Sequence, residues 1–460
     1  MDGNFIGIIG IILATVVLMY GAYKGVAALP LTLGAALVVV LTNQMSLWES
    51  FGTYYIAGPG DAIGGYIGFF ANFFLIFASS ALYAKIMEET GSAISIGYRF
   101  SDWLGAKRAI LIVLLTAAVL TFGGISLFVV VFAMAPIIMV LFKEANLPRS
   151  LAMGALAAGS ITFTMKSIPG SPQATNVVPT SFLGTSLTSG AFLGILSTIL
   201  MFSWQMWYLS REEKKCRANG EGFTFMDGMK EENYTIDRAK LPSAIASFLP
   251  MIVVVVLIIG LSFLQRAGHI NIETPAIVVG SMLISSILAL LLNIDIVKEK
   301  GGIDYLKYVV NEGTGGAIRA IAGPAAIVGF GGVVQASPAF ASIVEWLLQM
   351  DINTYLMAAL GPSVISGVVG SSSGGLLIAM QTLGDTFHSS GADLGIIHRL
   401  SAMFAGTFDS LPHSTIWFLV FPYLGLTHKD SYKYVWWTTV VIPTTVGIGI
   451  LLLAMVMYAY

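Results

Sequence analysis

The chain of 460 residues is 56% hydrophobic and only 10% charged, with a mean hydropathy of +0.83 and a formal net charge of −2. This composition leaves too little polar surface for a soluble protein of this length and predicts a polytopic membrane protein. Its long apolar runs, 50 glycines and 20 methionines favour a bundle of helices over a lipid-facing β-barrel, which would show short alternating segments. We expect no nucleic-acid partner, no cofactor and no bound metal.

Apolar runs long enough to cross about 30 Å of hydrocarbon recur along the chain. Uninterrupted runs lie near 5–22, 26–42, 63–84, 191–209, 244–264, 275–293, 309–333 and 435–456. Two further spans, near 150–183 and 400–424, are each broken by a string containing proline. Two more apolar stretches, 109–142 and 354–380, are interrupted by glycine and serine. Their arms of about 14 to 16 residues are short for crossing, so we predict that both are re-entrant hairpins.

The distribution of basic residues predicts an orientation. With the N-terminus outside, every lysine and arginine falls on a cytoplasmic segment or inside the membrane, except Arg266 and Arg399, which fall outside. The positive-inside rule is therefore satisfied. The charged segment 211–242 then forms a cytoplasmic linker between two halves, 1–210 and 243–460. Each half has an odd number of spans, five, so the second half runs upside down relative to the first and the two form an inverted repeat.

Both broken spans contain the same five-residue pattern around a proline. It reads Ser-Ile-Pro-Gly-Ser at 167–171 and Ser-Leu-Pro-His-Ser at 410–414. Proline removes a backbone donor and blocks the carbonyl one turn back, so in lipid such a break survives only where the backbone faces protein or a polar cavity. One such string alone would more often only kink a helix for packing. Paired breaks at matching places in two halves instead favour the binding site of a transporter.

If both hairpin tips and both breaks meet near the middle of the membrane, they bring many hydroxyl and amide groups together. Half-helix N-termini attract anions, whereas C-terminal ends and loose carbonyls attract cations. We therefore predict a site for a small organic carboxylate. The predicted substrate-binding residues are Ser126, Ser167, Gly170, Ser171, Gln173, Asn176, Ser371, Ser372, Ser373, Ser410, His413 and Ser414.

A charged residue precedes each string, Lys166 the first and Asp409 the second. An ionisable group at membrane depth is a candidate for function by default. Asp409 could exchange a proton or ligate sodium, and it is one predicted coupling group. His413 titrates near neutral pH and is the other. Lys166 is predicted as the charge partner, which either holds a substrate carboxylate or neutralises Asp409 in an ion pair between the halves.

The segment 370–374, Gly-Ser-Ser-Ser-Gly, matches the G-x-S-x-G string of serine hydrolases. That string carries a nucleophile only on a strand-to-helix turn of an α/β sheet. Here it interrupts a pair of apolar helices. A membrane-embedded hydrolase using Ser372 and His413 is therefore only a distant alternative, and we expect the protein not to be an enzyme.

Several runs of the sequence resemble the gluconate permease (GntP) family. In the first half these runs are Gly-Gly-Ile-Ser-Leu-Phe-Val-Val-Val at 123–131, Asn-Leu-Pro-Arg at 146–149, Phe-Thr-Met at 163–165, Ser-Ile-Pro-Gly-Ser-Pro-Gln at 167–173 and Asn176. In the second half they are Ser-Ser-Ser-Gly-Gly at 371–375 and Asp-Ser-Leu-Pro-His at 409–413. The resemblance spans essentially the whole chain and is closest to the hydroxybutyrate-permease-like branch. Lys166 stands where a neutral residue is expected in relatives.

The resemblance implies a secondary carrier of the ion transporter superfamily. Such carriers are usually homodimers. Each protomer has a scaffold domain and a mobile transport domain, which carries two hairpins and two broken helices and slides as an elevator.

We therefore expect a multi-pass transporter of the cytoplasmic (inner) membrane that takes up a small organic carboxylate, of the hydroxy-acid type, in symport with a proton. Its partners would be the organic anion, the coupling ion and the lipid bilayer. Sodium-coupled symport, with serine hydroxyls and Asn176 as ligands, is the nearest alternative, and cation/proton antiport is a third. In symport, anion and cation together reduce the charge that is moved through lipid.

Overall fold

The computed structural model describes residues 2–24, 26–59, 65–124, 127–224, 238–349, 352–369, 371–412, 414, 416–417, 420–421 and 424–459. Within these ranges the chain consists of helices joined by turns, without a β-strand. The prediction of an all-α membrane protein is confirmed at this level.

The helices follow one another in chain order. Up to residue 218 they span Asp2–Tyr23, Ala28–Thr42, Leu47–Glu49, Tyr55–Ala57, Gly65–Glu89, Ser92–Leu104, Ala109–Phe122, Leu127–Glu144, Arg149–Ile161, Phe163–Lys166, Ala174–Leu183 and Ala191–Ala218. From residue 244 onward they span Ala244–Arg266, Thr274–Leu292, Ile294–Glu299, Ile303–Gln335, Pro338–Gln349, Thr354–Val369, Ser372–Ser389, Leu394–Ala405, His428–Val435 and Ile442–Met457. Two π-helical segments, Ser50–Tyr54 and Trp436–Val441, lie between consecutive helices.

Among the described residues, six helical segments are long and apolar enough to cross a membrane. They are Gly65–Glu89, Ala191–Ala218, Ala244–Gln265, Thr274–Leu292, Ile303–Gln335 and His428–Met457. The predicted spans at 5–22 and 26–42 correspond to the shorter apolar helices Phe5–Leu18 and Ala28–Thr42. Large apolar side chains cover the outer surface: Leu75 is 64% exposed and Phe263 is 68% exposed. Such a surface is stable only against lipid, because water would disfavour it.

Small residues let the longest helix pack closely on its neighbours. Ile303–Gln335 lies along Gly65–Glu89, and a Cβ added to Gly313 would come within 3.1 Å of Cα of Leu82. Further along the same helix, a Cβ on Gly332 would meet the carbonyl oxygen of Tyr54 at 2.3 Å. Close approach of backbones is how helices associate in a membrane, where burial of apolar surface gives little driving force.

In two places a short interruption separates two consecutive helices, which we treat as a pair. Ala109–Phe122 and Leu127–Glu144 lie on either side of Gly124, whose φ is +88°. Glycine adopts that conformation without strain. The second pair, Thr354–Val369 and Ser372–Ser389, extends to Ser389, beyond the predicted end at residue 380.

Two boundaries differ from those expected. Helix Ala191–Ala218 continues into the segment 211–242, which was predicted to be a linker. The charged residues at the start of this segment lie on exposed or half-buried helical turns, so they do not end the helix. Helix Leu394–Ala405 begins before the expected start at residue 400. Asp393 caps it by accepting hydrogen bonds from the backbone N–H groups of Gly395 (2.7 Å) and Ile396 (3.2 Å). A carboxylate in that position satisfies free donors at the start of a helix.

Candidate functional site

The first broken span departs from a regular helix at two places. Helix Arg149–Ile161 ends at Thr162, which has φ −106° and ψ −111°, and the short helix Phe163–Lys166 follows. The proline string then turns the chain, with Gly170 at φ +83°, until Ala174–Leu183 begins. Proline cannot donate to a helix and glycine accepts a left-handed conformation, so the string itself explains this turn. The end of the preceding helix at Thr162 lies before the string and is not explained by it. We call residues 162–173 the first break.

The second break, residues 406–412 and 414, follows helix Leu394–Ala405. Its position is fixed by the carbonyl oxygen of Ser410, which accepts hydrogen bonds from Nε1 of Trp417 (3.1 Å) and from the hydroxyl of Tyr432 (2.9 Å). The hydroxyl of Ser410 donates to Oδ1 of Asp409 at 2.9 Å. The second break is therefore held by side chains in place of regular helical bonds.

A buried ion pair joins the two breaks. Nζ of Lys166 lies 3.1 Å from Oδ2 and 3.2 Å from Oδ1 of Asp409, and it donates to the carbonyl oxygen of Gly406 at 2.9 Å. Lys166 is only 4% exposed and Asp409 8%. Of the two roles that the sequence left open for Lys166, the geometry has it paired with Asp409.

Arg399 is a second buried cation between the breaks. It is 0% exposed. Nε and Nη2 donate to the carbonyl oxygen of Ser189 (3.1 and 2.8 Å), Nη2 to that of Leu187 (3.1 Å) and Nη1 to that of Lys166 (3.4 Å). The sequence analysis assigned Arg399 to the outer side of the membrane and did not predict that protein encloses it. One signal could have found it, since it is the one residue with a fixed charge in helix Leu394–Ala405.

His398 connects the first break to the same helix. Nδ2 of Asn176 donates to the carbonyl oxygens of Ser171 (2.8 Å) and Leu187 (3.0 Å). Its Oδ1 therefore accepts from Nε2 of His398, 3.1 Å away. The other ring nitrogen, Nδ1, lies 2.7 Å from the hydroxyl of Thr185. A histidine with Nε2 protonated uses Nδ1 as an acceptor, so the hydroxyl is the donor there. Sequence reasoning missed His398.

The interruption that follows helix Ala109–Phe122 packs against the first break. Nε2 of Gln173 donates to the carbonyl oxygen of Thr121 at 2.8 Å. A Cβ on Gly124 would lie 3.5 Å from Cγ of Pro172. Among the residues that the structure describes, the end of helix Ala109–Phe122 and Gly124 thus lie against the first break.

Helix Thr354–Val369, which leads to the second interruption, packs against helix Leu394–Ala405 and the start of the second break. The hydroxyl of Ser363 donates to the carbonyl oxygen of Phe404 at 3.0 Å and lies 3.1 Å from the hydroxyl of Thr407. Ser371 caps helix Ser372–Ser389 by accepting from the N–H of Gly374 at 3.3 Å. Residues 371–374 therefore form the beginning of a helix and not a strand-to-helix turn.

Several buried hydroxyls near these junctions have no hydrogen-bond partner among the described residues. Ser171 is 0% exposed and Thr121 is 1% exposed, and neither hydroxyl is bonded. Ser366, just before the second interruption, is in the same state. A buried polar group without a partner is costly, so such groups are candidates for binding a ligand. Thr121 and Ser366 were missed by the sequence analysis, although each lies close to a predicted tip.

The other predicted residues have different surroundings. Ser167 is buried with its hydroxyl 3.8 Å from Sδ of Met201. Ser372 and Ser414 are buried, and Ser373 is half-buried. The predictions for Ser126 and His413 lie outside the described residues.

A cavity of about 720 Å³ opens beside the first break. Its polar lining includes Thr180, Thr185, Ser189, Gln265, Glu273 and Asp393. Small-molecule sites generally have volumes of about 300–1,000 Å³. Thr185 belongs both to the cavity wall and to the hydrogen-bonded series that runs through His398 and Asn176 to Ser171.

Comparisons with known proteins agree with one another. The family model described as GntP family permease matches residues 5–457 of the chain. The uncharacterized transporter YxjC of Bacillus subtilis (strain 168) is 31% identical over 451 residues, which cover 92% of this chain and 93% of that protein. The crystal structure of the Alcanivorax borkumensis YdaH transporter has a TM-score of 0.51 and 14% identity, over 85% of this chain and 86% of that chain. The likeness to YdaH is one of fold alone.

Proposed function

The chain belongs to the GntP family of permeases, and from this we propose that it takes up a small organic carboxylate, of the hydroxy-acid type, together with a proton. The resemblance to this family, seen first in the broken strings, is confirmed. The protein is a multi-pass membrane transporter and not an enzyme. The hydrolase alternative for Ser372 is therefore wrong.

An excess of buried positive charge around the breaks carries the proposal of an anionic substrate. Lys166 and Arg399 are both buried there, and Asp409 is the single buried carboxylate among the described residues. The hydrogen bonds of Arg399 go to backbone carbonyls, which carry no full charge. A buried charge without a counter-charge is unfavourable. A carboxylate bound at the breaks would supply that counter-charge.

The N-terminal end of helix Ala174–Leu183 is the proposed position of the substrate carboxylate. The first N–H groups of a helix have no partner within it and carry partial positive charge. The buried hydroxyl of Ser171 lies three residues before this helix and has no partner among the described residues. Together they provide neutral donors, which suit an anion and the hydroxyl group beside it.

Competition for Lys166 gives a way to couple the substrate to a proton. While Lys166 donates to Asp409, the two opposite charges balance each other inside the protein. A substrate carboxylate that attracts the ammonium would weaken this pair, and a proton on Asp409 would then remove the uncompensated charge. Binding of the anion and of the proton then assist each other, and by linkage the assistance is reciprocal. This is the physical basis for Asp409 as the coupling group.

We also propose the architecture that the sequence predicts. Residues 1–210 and 243–460 would form an inverted repeat joined by the 211–242 linker, with hairpins at 109–142 and 354–380. The hairpins and breaks would move as one body against the remaining helices, in a homodimer. The contacts of Ala109–Phe122 with the first break, of Thr354–Val369 with the helix that leads to the second break, and of the breaks with each other support a single moving unit.

The proposed location is the inner membrane, with the N-terminus outside and the linker in the cytoplasm. In that orientation the 720 Å³ cavity faces the exterior, and its hydroxyl-rich wall would receive the substrate before it reaches the first break.

Uptake by the purified protein in proteoliposomes tests this function. We would offer radiolabelled hydroxy acids, keto acids and dicarboxylates with an acidic exterior and compare the wild type with Asp409→Asn. We expect the proton gradient to accelerate uptake by the wild type. In the variant this acceleration should be about tenfold smaller, while exchange of substrate across the membrane continues. Asp385→Asn, on an exposed position of helix Ser372–Ser389, is the matched control and should behave as the wild type.

Two results would contradict the proposal. If Asp409→Asn keeps the full response to pH, Asp409 is not the coupling group. If none of the carboxylates is taken up while sodium drives proton flux without an organic substrate, the protein is a cation/proton antiporter.

A further inference from the structure

The ammonium of Lys166 lies in a small cage of oxygen atoms. An ammonium has three N–H donors, and Lys166 has three oxygen acceptors: Oδ1 and Oδ2 of Asp409 and the carbonyl oxygen of Gly406, at distances between 2.9 and 3.2 Å. The donors and acceptors thus match in number. The lysine and its acceptors are 240 to 243 residues apart in the chain, so the cage is closed only where the two breaks meet.

Gly406 provides the space for the lysine side chain. A Cβ on this residue would lie 1.9 Å from Cδ, 2.1 Å from Cε and 2.1 Å from Nζ of Lys166. Gly406 also directly follows helix Leu394–Ala405. The carbonyl groups at the C-terminal end of a helix carry partial negative charge and favour a cation.

This combination of ligands is one that suits a hard metal cation. Carboxylate and carbonyl oxygens are the ligands of such cations in proteins. In transporters, unwound carbonyls and half-helix C-terminal ends coordinate sodium or protons near the middle of the membrane. Here the ammonium of Lys166 occupies the position among the oxygens of Asp409 and Gly406.

We propose that the ammonium of Lys166 acts as a tethered cation in a metal-cation site, so that this transporter works without sodium. The inference rests on the proposed function for the nature of the transported anion, but the cage stands on its own contacts. A monovalent metal ion cannot enter while the ammonium is bound to all three oxygens. The ammonium thus excludes sodium from these oxygens, which favours proton coupling over sodium coupling.

Removal of the lysine should convert the cage into a site for a free cation. In Lys166→Met the Asp409 carboxylate stays buried without its partner, and an uncompensated buried charge is strongly unfavourable. A sodium or lithium ion of suitable size would restore the balance, with Gly406 as a second ligand. The methionine side chain is flexible and of similar length, so the fold around it changes little.

Thermal unfolding of the purified protein is the direct test. The samples would be titrated with sodium, lithium or potassium chloride, with choline chloride keeping the ionic strength constant. A cation that binds only the folded state raises its apparent stability by mass action. We expect Lys166→Met to gain about 2–4 °C in melting temperature with sodium or lithium, and the wild type to gain nothing.

Two further variants make the test specific. Lys166→Met combined with Asp409→Asn removes both charges and should lose the response to sodium. Lys307→Met is the matched control, because Lys307 pairs with Asp304 at 2.9 Å on an exposed surface, where both side chains are at least 67% exposed. It should behave as the wild type in every salt.

The same samples also separate this inference from the proposed function. Stabilisation of the wild type by sodium, or an absence of any cation effect on folded Lys166→Met, would overturn the tethered-cation proposal even if carboxylate uptake is observed. Sodium-dependent stabilisation confined to Lys166→Met would support it even if the substrate proves not to be a carboxylate.

Discussion

Oδ1 of Asn176 accepts a hydrogen bond from Nε2 of His398 at 3.1 Å, although the two residues are 222 positions apart. Asn176 also donates to the carbonyl oxygens of Ser171 and Leu187, so one amide fixes the turn of the first break and links it to the helix that leads to the second. Both side chains are 0% exposed. The relative position of the two breaks therefore depends on polar contacts that water does not reach, and these are the contacts to remove first.

Replacing His398 with leucine should destabilise the protein. The change leaves Oδ1 of Asn176 without its donor and the hydroxyl of Thr185 without the ring nitrogen at 2.7 Å. We expect a loss of about 1–3 kcal/mol in the free energy of unfolding, measured by thermal or denaturant unfolding in detergent. His398→Gln keeps a donor for Asn176 and should lose less. His388→Leu is the control, since His388 is exposed and its Nε2 lies 2.9 Å from the carbonyl oxygen of Phe182; a loss there as large as at His398 would argue against the buried network.

Replacing Ser171 with alanine should weaken substrate binding without reducing stability. Its hydroxyl has no partner among the described residues, so the folded protein loses no hydrogen bond and gains by removing an unsatisfied group. Uptake should show a KM raised by about 5- to 10-fold, which corresponds to one hydrogen bond of about 1–1.4 kcal/mol. Ser285→Ala is matched in burial and in its unbonded hydroxyl but lies on helix Thr274–Leu292. If both variants change KM equally, Ser171 has no specific role.

Replacing Arg399 with methionine should be among the most damaging single changes. The carbonyl oxygen of Ser189 would lose both donor atoms of Arg399 inside the protein, at a cost of about 1–3 kcal/mol for an unsatisfied group. The carbonyl oxygen of Leu187 would lose one donor but keep the N–H of Gly170 and Nδ2 of Asn176. Arg217→Met gives the comparison, because Arg217 pairs with Glu213 at 2.8 Å near the surface, and such pairs contribute about 0–1 kcal/mol. A small effect at Arg399, similar to that at Arg217, would mean that the loop at 187–189 is held by other contacts.

Local chemistry explains which features could be predicted. Pro169 and Gly170 break a helix by their own covalent structure, so the position of the first break follows from sequence alone. A lysine before one string and an aspartate before the other raised an ion pair as one of two open roles, and the geometry has Lys166 beside Asp409. Opposite charges at membrane depth have few other partners.

Contacts with the backbone explain what could not be predicted. Arg399 binds the carbonyl oxygens of Leu187 and Ser189, and every residue type offers such an oxygen, so no pattern in the sequence marks the partner. The rule of positive charge inside describes loops, so it gives no information on whether an arginine is enclosed by protein. His398 was overlooked for a different reason: its partners are the side chains of Asn176 and Thr185, which are 222 and 213 residues away.

Adding a single methyl group at Gly406 should disrupt the charged pair. The Cβ of Gly406→Ala would fall about 2 Å from the end of the Lys166 side chain, so the lysine must leave Asp409 or the backbone must move. Overpacking of this kind costs about 1–3 kcal/mol, and we also expect proton-driven uptake to fall. Gly384→Ala is the control, because no atom lies within 4 Å of a Cβ there and alanine is the better helix former by about 1 kcal/mol.

A double-mutant cycle that combines Gly406→Ala with Lys166→Ala identifies the cause. If the clash is responsible, the cost of the alanine at residue 406 largely disappears once the lysine is truncated, because contacting residues couple strongly. Full additivity of the two changes would instead show that Gly406 is required for its own backbone and not for the lysine that it accommodates.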